Sequence, residues 1–232
     1  MGTSVAAGTA AERRDEGGLT AASTRRLLWL GMVAGPFYLA VGLIQALVRE
    51  GFDLARHPLS LLANGPGGWV QTANFVLTGL MVLAAAVGFR RVLGPGSRLP
   101  SWFLGAFGAG MILAAVFPAD PVDGFPPGTP AGFPTSISTP GMLHFVAGAL
   151  GFTCLAISCL VAARAMSRRG ETGLARFSLF SGLAVLLGFF GGPFLPSVSM
   201  VTLGIWFSVV VGWAWLAVLS LHLSREASRR SP

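Results

Sequence analysis

The residues of this chain whose types could do chemistry together are three aspartates and two histidines. Asp53 and His57 stand in one polar stretch; Asp120, Asp123 and His144 belong to another. The second stretch runs Phe117-Pro118-Ala119-Asp120-Pro121-Val122-Asp123, passes through a loop rich in Pro, Gly, Ser and Thr, and reaches His144 just inside the next apolar run. Imidazole nitrogen and carboxylate oxygen are donors that Zn²⁺ accepts, so His57, Asp120 and His144 are candidate ligands of a metal that could activate water. The same three are candidate catalytic groups for acid–base work. No HExxH-type spacing fixes them relative to one another. Two other readings stay open. In one, the residues only shape the loops, Asp120 as an Asx-turn or helix cap and His144 through a bond to a neighbouring loop. In the other they bind or conduct a proton, an ion or a lipid head group. The cofactor is unknown, and none is strongly indicated.

A second pattern lies in the apolar run that follows Trp69. Gln71, Asn74 and Thr78 are three and four residues apart, so they share one face of a helix. That face should turn inward, where its polar groups can pair across helices or line a cavity beneath the loops. Gln45 could join it. With Asp53 and Asp123, these three residues are the candidate binding groups of a polar pocket.

The elements that must position these residues are set by composition. Of the 232 residues, 53% are hydrophobic and 11% charged, and the mean hydropathy is +0.70. Soluble domains average about 25% charged residues, so this chain cannot clothe itself in a polar surface. Its apolar runs predict an all-α, polytopic membrane protein, a bundle of six transmembrane helices at about 27–48, 69–89, 100–117, 141–163, 177–195 and 200–223. The run ending at 117 is short for a full span unless it begins near Leu99. Residues 1–24 read as a disordered tail without apolar periodicity, 25–224 as the membrane domain and 225–232 as a basic tail. Between the first two runs, 54–63 could form a short interfacial helix. Gly31 with Gly35, and Gly188 with Gly192, are small-xxx-small pairs that permit close helix approach. Pro36 offers a place for a kink.

The net charge of +7 comes with sixteen basic residues, all of them arginine. They cluster beside the apolar runs, without the interleaved aromatics of a nucleic-acid surface, so the expected partner is the lipid bilayer and not nucleic acid. All but Arg49 and Arg56 fall in the two tails and in the connections after the second and fourth runs. The positive-inside rule then predicts both termini cytoplasmic in a plasma membrane, with the Asp/His residues facing outward. Trp29, Trp69 and Trp102 sit at run ends, as interfacial anchors do. Cys154 and Cys159 would lie about 140° apart around one helix, so they cannot bridge to each other within it. The lysine-free, Ala/Gly/Arg-rich composition suggests a bacterial source with GC-rich coding.

No Asp, Glu, Arg or His lies mid-span, which argues against a transporter with an ionisable midplane site. Walker-A, GxSxG and CxxC patterns are absent, so ATP-driven, α/β-hydrolase and thioredoxin-like mechanisms have no support. Pro58-Leu59-Ser60-Leu61-Leu62-Ala63, the span carrying Asn74, Phe117-Pro118-Ala119-Asp120 and the later His144 together resemble the bacterial and archaeal membrane family called domain of unknown function 998. The resemblance covers about residues 27–223. In the first loop Leu61-Leu62-Ala63 stands where that family more often has an acidic residue followed by Leu-Gly. The resemblance implies an integral membrane protein and no particular activity. Two functional readings follow. One is a binding, scaffold or small-solute passage protein with an outward-facing polar pocket. The other is an outward-facing hydrolase, metal-assisted in one form, acting on a lipid or envelope substrate. Protein partners are undefined, and a homo-oligomer is open.

Overall fold

The structure, a computed structural model, describes residues 20–192 and 196–229. Six helices dominate it: α1 (Thr20–Val48), α2 (Gly68–Leu93), α3 (Leu99–Val116), α4 (Thr139–Arg168), α5 (Thr172–Phe190) and α6 (Val198–Arg229). Each is long and apolar enough to cross a membrane, which makes this a multi-pass membrane protein. Among the described residues there is no strand, only an isolated bridge between Val122 and Phe125. Of the expected tail 1–24, residues 1–19 lie outside the described residues, and 20–24 continue α1. At the other end α6 extends through residue 229; 193–195 and 230–232 lie outside the described residues.

Helix ends follow local chemistry. Phe117 ends α3 in an extended conformation (φ −110°, ψ 108°) because the following Pro118 disfavours the helical region for the residue before it. Starting at Leu99, α3 has 18 residues and rises about 27 Å, close to a bilayer core. Ser138 caps α4, its hydroxyl accepting from the Gly141 N–H at 3.0 Å, with Pro140 in the first turn. Between α1 and α2 the expected interfacial helix over 54–63 is replaced by a 3₁₀ turn, Leu59–Ala63. Pro58 is extended there and cannot continue a helix from 54, and Leu59, Leu61 and Leu62 are buried in the bundle end.

The helices form a ring in chain order, each packed on its sequence neighbours, with α6 closing against α1. Glycines set the closest approaches. A Cβ on Gly35 of α1 would stand 2.6 Å from Trp213 Cβ of α6, and one on Gly188 of α5 would meet Ser208 and Gly204 of α6. Both small-xxx-small pairs are therefore used inside the bundle. The half nearer the described chain ends is packed solid around Trp215, Phe89, Leu28 and Met166, all essentially inaccessible. There Arg169 pairs with Glu226 (3.0 Å) and Glu171 with His222 (2.6 Å), tying the α4–α5 connection to α6. The opposite half is hollow and is covered by the two long loops, 49–67 and 117–138.

Candidate functional site

The loops are clasped to each other. His57, 1% exposed, accepts at Nδ1 from the Asp53 N–H (2.9 Å). Its Nε2 must then carry the proton, which it donates to the Asp123 carbonyl (3.0 Å). Rings of Phe52 and Phe125 flank it at 5.3 and 5.6 Å. Asp53 makes an Asx-turn, its Oδ1 accepting from the Ala55 N–H (2.8 Å). Asp123, in the left-handed region (φ 49°), receives the Arg56 fork at both carboxylate oxygens (2.8 and 2.7 Å) and the Gly132 N–H at 2.7 Å. These donors, the guanidinium first, hold its pKa down at about 2. Asn64 adds a bond to the Ala119 carbonyl (2.9 Å), and Trp206 and Thr202 of α6 donate to the Leu54 and Arg56 carbonyls (both 3.0 Å).

Asp120 and His144 stand on the inner side of this cover. Both Asp120 oxygens are engaged by Ser138, one by its hydroxyl at 2.5 Å and one by its N–H at 3.0 Å. The carboxylate thus sits over the N-terminus of α4, where the helix dipole favours negative charge. Gly141 is what lets it approach, since a Cβ there would run into the carboxylate. His144, one turn further along α4, donates from Nδ1 to the α3-end carbonyls of Ala114 (3.1 Å) and Phe117 (2.8 Å). Its Nε2, on the far side of the ring, has no hydrogen-bond partner among the described residues.

The metal grouping His57, Asp120 and His144 does not assemble. Among the described residues no group of three or more His, Cys, Asp or Glu side chains is placed to hold a metal ion. His57 moreover has no free lone pair, because both its nitrogens bond to loop backbone.

Below His144 lies a cavity of about 650 Å³ reached by all six helices. Its walls are mostly apolar and aromatic, including Phe75, Phe107, Phe152 and Phe189. Asp120, His144 and Ser60 supply polar groups at the loop end, with Tyr38 deeper. A smaller extension of about 50 Å³ continues inward to Leu155 and Trp213.

The family model described as Protein of unknown function (DUF998) matches residues 32–222. The chain belongs to that family. Neither the curated proteins nor the solved structures compared with it give a match. The matched stretch of this DUF998 chain contains both loops and every residue that lines the cavity.

Of the sequence-predicted groups in the DUF998 domain, Asp120 and His144 line the cavity, whereas Asp53, Gln71, Asn74, Thr78 and Asp123 do not. The polar stripe of α2 is buried against α1 instead. Gln45 donates to Gln71 (2.8 Å), Asn74 donates to the Tyr38 carbonyl (3.1 Å) and to Gln71 (3.2 Å), and Thr78 donates to Asn74 (3.3 Å). Amides buried in an apolar bundle pair with each other because an unmet amide there is costly. The expected polar pocket is therefore an apolar one with a polar mouth. Sequence reasoning did not single out Ser138 or the aromatic walls. Ser138, a hydroxyl residue two before Pro140 and opening an apolar run, carried a readable N-cap signal. The wall residues carried none, since a phenylalanine beside a hole and one in a filled core read alike.

Proposed function

We propose that the protein binds a membrane amphiphile in the cavity, its polar end near His144 and Asp120 and its hydrocarbon among the aromatic walls. The cavity carries this reading. Ligand sites are typically clefts of about 300–1,000 Å³, predominantly apolar, with a few placed polar groups, and the cavity of about 650 Å³ fits that description. The solid packing around Trp215 and Phe89 favours binding over passage of a solute through the bundle. Gly148 offers the test. It lines the cavity, and a Cβ there meets only Phe189 Cζ, at 3.8 Å. Gly148→Leu should keep the melting temperature within a few degrees and lose at least about tenfold in bound lipid by native mass spectrometry, roughly 1.4 kcal/mol. Unchanged lipid retention in that variant would refute cavity binding.

The hydrolase alternative rests on the free Nε2 of His144, whose ring is oriented through Nδ1 as a general base would be. It requires release of fatty acid from an ester lipid, abolished by His144→Ala.

The reading places the loops outside the cell, with both termini cytoplasmic in the plasma membrane. The arginine distribution supports this orientation. With Cys154 and Cys159 replaced, Ala131→Cys should react with an impermeant maleimide in intact cells and Arg168→Cys only after lysis. The reverse pattern would invert the topology.

A further inference from the structure

We infer that the amphiphile is a neutral lipid alcohol, a hydrocarbon chain or chain pair headed by hydroxyl and lacking phosphate, and that its hydroxyl donates to Nε2 of His144. The inference rests on the cavity-binding reading and adds the chemistry of the head group.

The argument is a count of donors and acceptors at the mouth. A phosphate needs cations or free N–H groups. Only two arginines belong to the clasped loops, and both are engaged elsewhere. Arg56 is forked onto Asp123, and Arg49 donates to the Leu62 (3.0 Å) and Asn64 (2.5 Å) carbonyls. Neither lines the cavity. A helix N-terminus is the other ready cradle for a phosphate. At α4 that cradle is filled by the protein's own carboxylate, since Ser138 donates to Asp120 and Gly141 donates to Ser138. The Trp206 indole N–H is likewise committed to Leu54.

Apart from the Ser60 hydroxyl, which can donate or accept, what the mouth offers is acceptors. Nδ1 of His144 must carry its proton to reach two carbonyls, so the neutral ring presents a lone pair at Nε2. The Asp120 carboxylate, which lines the same cavity, would repel an anion. An uncharged O–H donor satisfies this arrangement. The route is lateral. Phe145 and Phe190, at the α4 and α5 ends of the rim, line the cavity and are exposed, as are Phe133 and Ile137. A ligand already dissolved in the adjoining leaflet can pass that rim without crossing water.

The test uses the intact chain in nanodiscs, with competition read by native mass spectrometry. The probes are dioleoylglycerol, its methyl ether, dioleoyl phosphatidic acid and oleylamine. Dioleoylglycerol should bind about tenfold more tightly than either the ether or the phosphatidic acid, as expected for one hydrogen bond to an otherwise unmet acceptor. His144→Phe, which keeps a ring against Phe75, should reduce the alcohol-over-ether ratio to about one while the ether still binds. Phosphatidic acid or oleylamine binding as well as the alcohol would overturn the inference and leave cavity binding standing. So would an alcohol-over-ether ratio near one on the unaltered protein, a comparison that needs no variant. If no probe binds, or if Gly148→Leu binds all of them unchanged, the cavity-binding reading itself fails.

Discussion

Gly141→Ala should destabilise the bundle by about 2 kcal/mol, although alanine in a helix is ordinarily favoured over glycine by about 1 kcal/mol. The reason is Asp120, whose carboxylate occupies the space that the new methyl would need. The carboxylate cannot simply retreat, because Ser138 holds both its oxygens. Overpacking of this kind costs typically 1–3 kcal/mol. Asp120→Ala alone should cost about 1–2 kcal/mol through lost bonds to the α4 start. The double variant should be more stable than the sum of the two predicts, by at least about 1 kcal/mol, because the second change removes what the first collides with. Thermal unfolding in detergent of the four proteins in this cycle measures the coupling. Strict additivity would show that Asp120 does not occupy the α4 start.

The second large effect concerns the clasp. Asparagine tolerates the left-handed region that Asp123 occupies, so Asp123→Asn isolates charge from backbone shape. It removes a charge-assisted fork, and the loops should open more readily. Hydrogen exchange should speed up in 49–67 and 117–138 and stay unchanged in the solid half around Trp215. The pH dependence has a definite sign. The Asp123 pKa is depressed from 3.8 to about 2 by Arg56 and the Gly132 N–H, so its stabilisation is complete above pH 3.8 and is lost as pH falls through about 2. Loop protection in the unaltered protein should therefore fall between pH 4 and pH 2, while Asp123→Asn should show a smaller change over that range. Equal profiles would remove Asp123 from the clasp.

Much of the architecture was readable because its cause is one-dimensional. A run of apolar residues long enough to cross a bilayer is a property of the sequence itself, and the six runs reappear as six helices. The extension of the third run to Leu99 was anticipated from its shortness. The family resemblance, carried by Phe117-Pro118-x-Asp120 and His144, was likewise local. The site was harder because its chemistry is set by partners distant in sequence. The spacing of Gln71, Asn74 and Thr78 gave a shared helix face, and Gln45 indeed joins it, but spacing cannot say which neighbour that face meets. His57 has a ligand's residue type, yet both its nitrogens bond to loop backbone, which its sequence neighbours do not reveal. Arg56 and Asp123 are 67 positions apart, and the sequence marked them only as opposite charges expected on the same side. The cavity left no trace, since emptiness is a property of how side chains meet.

The ring in chain order also bears on how the molecule is made. Five of its six seams join helices that follow one another in the chain, so each can form as soon as its second helix enters the membrane. The seam between α6 and α1 is different, because it must wait for the last helix to be synthesised. Until then Trp213 has not met Gly35, and Val201, Ile205, Trp206 and Val209 are missing from the cavity wall. Without α6 the other five helices are an open series in chain order, and α6 is the element that closes the chamber.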